Sequence, residues 1–156
     1  MKIYIGTDHA GFALKEELKR YLPELGLGYE VTDLGSFTVN PDDDYPDFVT
    51  KVAEVVVGEE GSMGIVLGGS GQGEAMCANK VKGVRAFTFY GPKEMLEGED
   101  EDTFQIVKLS REHNDANIIS IGARFVTEDE AKFAIELFLS TKFSGEERHT
   151  RRINKF

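Results

Sequence analysis

Cysteine occurs once in this chain of 156 residues and histidine only three times. A single cysteine excludes an intrachain disulfide and any zinc site built on CxxC spacing, and it agrees with a reducing compartment. No apolar run approaches the roughly 20 residues that a membrane span requires. The opening MKIYIGTDHAGF lacks the apolar stretch and small-residue cleavage pattern of a signal peptide, so a cytoplasmic location is expected. Positive charge is also scarce, with 18 Lys and Arg against 28 Asp and Glu and a net charge of −10. Phosphate polymers and anionic membranes demand clustered cations, so broad contact with either is disfavoured. The few cations are nevertheless gathered: the last nine residues, RHTRRINKF, carry Arg148, His149, Arg151, Arg152 and Lys155 without an acid, while KEMLEGEDED holds six acids against one lysine. A local basic patch on an acidic chain suits a small anionic ligand better than a polymer.

Hydrophobic residues make up 40% of the chain and charged residues 29%, the balance of a globular protein. The length fits one core, and a single domain over residues 1–156 is expected, with 141–156 as a C-terminal tail. Along it, short apolar runs alternate with helical periodicity. KIYIGTD precedes Leu14, Leu18, Tyr21 and Leu22; YEVTDLG precedes Phe48, Val49, Val52, Ala53 and Val56. GIVLGG, RAFTFY and NIISIG open three further cycles, the fourth leading to a helix around 104–111. The fifth leads to a helix over 128–140 in which Phe133, Leu137 and Phe138 face one way. Five strands alternating with helices predict a parallel sheet covered on both faces. Ligands of such sheets sit at the carboxyl ends of the strands. Those ends carry Asp8 and His9, Gly35, the Gly68 to Gly73 loop, Tyr90, and Gly122 with Arg124. The acidic stretch Glu94 to Asp102 is expected to be an exposed loop.

GGSGQGE, Gly68 to Glu74, joins the third strand to its helix and is suited to present backbone N–H groups to an anion. It has neither the lysine and Ser/Thr pair of a P-loop nor G-x-G-x-x-G spacing, so a nucleotide site and a plain tight turn remain equal readings of the loop alone. Its surroundings add to it. Asp8-His9 follows the first strand and His113-Asn114-Asp115 precedes the last, so all three histidines fall in expected loops or the tail, where packing does not call for them.

Taken in order, GTDHAGFALK, DYPDF, GGSGQGEAMCANKVKGVRA, REHNDANIISIGAR and RHTRR make the chain resemble the ribose-5-phosphate isomerase B family, with its galactose-6-phosphate and allose-6-phosphate isomerase relatives. The resemblance spans nearly the whole chain. It implies a Rossmann-like three-layer αβα fold and a homodimer, or a dimer of dimers, whose active sites are shared between subunits. It also implies no metal, no cofactor, and reversible conversion of an aldose phosphate to its ketose in the pentose phosphate pathway.

By that resemblance Asp8 and His113 open the sugar ring and Ser70 contacts O1 and O2. The N–H groups of Gly69, Gly71 and Gly73 would face the enediolate, where negative charge develops. His9, Arg124, Arg148, His149 and Arg152 would hold the phosphate, a group that guanidinium forks fit bidentately. Tyr45 and Asn114 would line the sugar site. Many family members place a cysteine base where this chain has Gly68, and Cys77 stands nine positions later. Another branch has the same GGSGxGE run and uses its glutamate, so Glu74 is the expected base and Cys77 a small packed residue. Ribose 5-phosphate is the leading substrate. A six-carbon sugar phosphate needs only a different distance from loop to arginines, and a noncatalytic sensor is the third reading, which Glu74 and the histidines oppose.

Overall fold

A computed structural model describes residues 1–93 and 103–156; the expected acidic loop at Glu94 to Asp102 lies outside the described residues. The elements alternate along the chain: β1 (Lys2–Thr7), α1 (Phe12–Glu24), β2 (Glu30–Asp33), α2 (Pro46–Gly58), β3 (Met63–Gly68), α3 (Gln72–Ala78), β4 (Ala86–Phe89), α4 (Gln105–Asn114), β5 (Ile118–Gly122), α5 (Glu128–Ser140) and α6 (Glu147–Ile153). The strands form one sheet in the order β2-β1-β3-β5-β4, every pair parallel. β3 and β5 are buried along their whole length, as interior strands with both faces covered must be.

The two faces carry separate cores. Leu18 and Leu22 of α1, Val107 of α4, and Ala131, Ala134, Ile135 and Phe138 of α5 pack on one side with Ile3, Ile5, Ile65 and Ile119. Val49, Val52, Ala53 and Val56 of α2 and Ala78 of α3 cover the other with Tyr4, Val66 and Ile118. The result is the expected three-layer α/β arrangement. From β1 the chain turns outward to β2, and from β3 it crosses by way of α3 and β4 to the other side of the sheet. The carboxyl ends of β1 and β3 therefore flank a topological switch point, the usual crevice of such sheets.

Several expectations need correction. The helix expected around 104–111 runs over Gln105–Asn114, so His113 and Asn114 sit in its last turn and not in a loop. His9 belongs to a short 3-10 turn, His9–Gly11, and the C-terminal tail contains α6 with His149. Phe133 does not join the buried face of α5; it is half exposed and meets the Phe104 ring edge-on. Lys15, which falls among the polar positions of α1, is fully buried, because its amine donates to Asp33 Oδ2 at 2.6 Å and to the Ser36 carbonyl at 2.6 Å.

That buried pair makes a pH-dependent contribution. Burial pushes the Asp33 carboxyl up, but hydrogen bonds from Lys15, Lys19 and the Gly35 N–H outweigh it and the net shift is downward. A carboxylate with a depressed folded pKa stabilises fully above its unfolded value of 3.8, and the contribution disappears as pH falls through the folded value. Asp33→Ala removes the nearer of two carboxylates from the buried Lys15 amine, leaving Glu16 at 3.2 Å, and should cost about 3 kcal/mol. Urea unfolding at pH 7 and at pH 3 checks this: the gap from wild type narrows at the lower pH.

Candidate active site

The strands on the switch-point side deliver their following residues to one edge of the sheet. After β1, Asp8 is the N-cap of the 3-10 turn, its carboxylate accepting from the Ala10 N–H at 2.9 Å. After β3, the chain passes through Gly71, whose φ of 75° suits glycine, and enters α3. Gly71 also lies against β5: a Cβ there would meet the Gly122 nitrogen at 2.9 Å, and the Ser120 hydroxyl donates to the Gly71 carbonyl at 2.6 Å. The loop is thus pinned from beneath. Arg124 arrives from β5, its N–H donating to the Gly69 carbonyl at 3.2 Å. Pro46 starts α2 and leaves Tyr45 at its N-cap, which explains the DYPDF motif in local terms.

These ends enclose an open cleft of about 470 Å³ lined, among the described residues, by Asp8, His9, Tyr45, Gly69, Ser70, Gly73, Glu74 and Arg124, with Ala10 and Phe125. Eight of the expected site residues therefore meet on one rim. Gly71 does not line the cleft; its conformation shapes the loop.

Glu74 is 4% exposed although it is a carboxylate. It occupies the space that a side chain at position 68 would take: a Cβ on Gly68 would come 2.8 Å from Oε2 and closer still to Oε1 and Cδ. Burial raises the Glu74 carboxyl above its usual 4.5; its own backbone N–H works against this, and the nearby charge of Asp8 adds to it. The carboxyl is thus more basic than in water and sits at the foot of the cleft. Cys77, one turn further along α3, is half-buried against the α2 side of the core, with its sulfur 3.6 Å from the Thr50 hydroxyl, and does not line the cleft.

The remaining expected residues lie elsewhere. His113 and Asn114 end α4 just before β5 begins, whereas Arg124 follows its other end, and the five residues of β5 span about 16 Å. His149 stacks on His113 with ring centroids 4.1 Å apart and is 3% exposed. Its Nε2 accepts from Arg148 Nε at 3.1 Å, and Arg148 also pairs with Glu146 at 2.8 Å. Burial first, then the His113 ring and the Arg148 and Arg152 charges, lower the His149 pKa from 6.5, with Glu146 opposing. Within one chain, His113, Asn114, Arg148, His149 and Arg152 form a second cluster at the amino edge of the sheet.

One neighbour was missed from the sequence. Asp43, in the loop before α2, accepts from the His9 ring Nδ1 at 2.6 Å and from the His9 N–H at 3.0 Å. The signal available was the run DDDYPDF, which does not say which of its acids turns inward. Asp8, His9 and Asp43 could each offer one ligand atom to a metal, all within 4.8 Å of one another. The short bond between Asp43 and Nδ1, however, already uses that nitrogen and one carboxylate oxygen.

The Glu74 carboxyl depends on the empty position beside it. Gly68→Ala should expel it toward water, so that its titration midpoint, followed by carboxyl carbon NMR, returns toward 4.5. An unchanged midpoint would show that the side chain at 68 and the carboxyl do not compete for one space.

Known proteins resemble the chain over nearly its full length. A family described as Ribose/Galactose Isomerase matches residues 3–156. Ribose-5-phosphate isomerase B of Mycobacterium tuberculosis (strain ATCC 25618 / H37Rv) is 40% identical over 154 residues, 99% of this chain and 86% of its own. A Clostridium thermocellum ribose-5-phosphate isomerase B structure superposes with a TM-score of 0.85 at 41% identity, covering 99% of this chain and 94% of that one. The Mycoplasma genitalium ribose-5-phosphate isomerase B with bound ribulose-5-phosphate gives a TM-score of 0.85 at 35% identity, covering 99% and 92%. The chain belongs to the ribose/galactose isomerase family.

Proposed function

We propose that the chain interconverts ribose 5-phosphate and ribulose 5-phosphate through a cis-enediolate, the aldose–ketose step of the pentose phosphate pathway. The observation that carries this reading is the buried, more basic Glu74 carboxyl at the foot of a cleft that also holds Asp8, Ser70, His9 and Arg124. The relative with ribulose-5-phosphate bound supports the substrate class.

The reaction divides naturally among these groups. Ring opening removes a proton from the anomeric hydroxyl and delivers one to the ring oxygen, the work assigned to Asp8 and His113. Glu74 then takes the hydrogen from C2 of the open aldose as a proton and returns it to C1, while a proton passes from O2 to O1 beside the Ser70 hydroxyl. Negative charge on the enediolate oxygens is met by the loop N–H groups that line the cleft, at Gly69 and Gly73. Anchoring the phosphate at His9 and Arg124 orients the reacting carbons, since binding energy far from the chemistry can be used to fix geometry. Tyr45 closes one wall against the sugar.

His113, Asn114, Arg148, His149 and Arg152 cannot reach this cleft within their own chain, being at the other edge of the sheet. The reading therefore includes a homodimer in which the amino-edge cluster of one subunit completes the rim cleft of the other.

Two experiments test it. With ribose 5-phosphate and, separately, allose 6-phosphate as substrates, Glu74→Gln should lower kcat about a thousandfold, while Cys77→Ser stays within about twofold of wild type. The base works ionised, so kcat/KM should fall on acidification with a midpoint above 4.5. Full turnover by Glu74→Gln would remove it from the base role, and turnover of the hexose alone would move the assignment to six-carbon sugars. Sharing of sites is tested by unfolding and refolding an equal mixture of Glu74→Gln and His113→Ala. Each is inactive alone, and their hybrids, each with one intact site, should restore about a quarter of wild-type activity. No recovery from a mixture that has formed hybrids would place both residues in one chain's site.

A further inference from the structure

Asp43 is an unusual neighbour for the cleft. Its side chain is 8% exposed, and Oδ2 is buried with no hydrogen-bond partner among the described residues. A buried carboxylate is costly unless it is hydrogen-bonded, and here the other oxygen carries the bonds. Oδ1 accepts twice from one residue, from the His9 main-chain N–H at 3.0 Å and from Nδ1 at 2.6 Å. His9 lines the cleft and Asp43 does not, so the carboxylate stands behind the ring on the side away from the cleft.

We propose that Asp43 is a positioning residue for His9, committing Nδ1 to itself as the donor and leaving Nε2 as the nitrogen that faces the anionic end of the substrate. The inference rests on the reading of the cleft as a sugar-phosphate site and adds a residue which that reading does not use. An imidazole with two unassigned nitrogens can rotate and present either tautomer; one pinned at Nδ1 and at its own backbone cannot. A ring carrying protons on both nitrogens then donates to Asp43 at one end and to a phosphate oxygen at the other.

The test is a double-mutant cycle with a spectroscopic check. Asp43→Ala should raise KM for ribose 5-phosphate about tenfold with kcat within about twofold, and Asp43→Asn, which keeps an acceptor oxygen, should fall between it and wild type. In a His9→Ala background, Asp43→Ala should change KM by less than about twofold, because its effect passes through the ring. Equal KM increases in both backgrounds, or a loss confined to kcat, would overturn the proposal. Imidazole 15N spectra of the wild-type protein should show the His9 Nδ1 protonated both without ligand and with inorganic phosphate bound; an unprotonated Nδ1 in the free protein would overturn it as well. The spectra do not depend on turnover. Failure of wild-type protein to isomerise ribose 5-phosphate would count against the proposed function, whereas a wrong tautomer would count against Asp43 alone.

Discussion

Position 68 has no side chain, and a carboxyl fills the space this leaves at the end of the central strand. Much else in the molecule serves that arrangement. β3 must be an interior strand, so that its carboxyl end opens into a crevice and not onto solvent. The loop after it must turn sharply enough for α3 to bring Glu74 back over Gly68, and the close approach of Gly71 to β5, fastened by the Ser120 hydroxyl, supplies the turn. Two influences then act on one group. Exclusion of water raises the carboxyl, and the start of a helix with its own N–H restrains the rise. The proposed base gains from this, being more basic than an exposed acid.

The other side of the cleft is held by polar groups that the sheet buries at its carboxyl edge. The chain leaving β2 is tied to β1 by reciprocal main-chain bonds, Thr7 N–H to Gly35 O and Ser36 N–H to Thr7 O, and by the buried Lys15 amine on Ser36 O. Further along the same connection, Asp43 grips His9 and Tyr45 begins α2. One loop is therefore anchored at both ends to the first β-α unit. Buried charges in these places are poor devices for stability alone, because desolvation offsets much of their attraction. They are good devices for fixing a loop in one geometry, and here that loop carries a wall of the cleft.

Charge is distributed unevenly. The chain is acidic overall, and among its 18 Lys and Arg two groups bear on the proposed site, Arg124 on the rim and the α6 arginines at the amino edge. The stacked pair His113 and His149, with Arg148 bonded to the second ring, gives the amino-edge cluster a defined shape of its own. In the proposed homodimer, a phosphate held by both cation groups would be recognised by geometry as well as by sign.

Composition and order of residues determined a good deal of this protein. The alternation of apolar strands with amphipathic helices specified a parallel α/β sheet, because residue spacing reports which face is buried. The strand ends carrying Asp8, Gly69 to Glu74 and Arg124 were legible for the same reason, since in such a sheet those ends share one rim. The glycine at 68 and glutamate at 74 were visible as a pair, but not that one occupies the other's space. Spacing also misjudged Lys15 and Phe133, whose burial depends on partners distant in sequence. Only the tertiary structure decided that His113 and the C-terminal basic residues stand a full strand length from the rim, and that Asp43, one acid among three in a row, turns inward to His9. Local pattern records what a residue is and which way its own element faces; which element comes to rest against it is settled by packing of the whole chain.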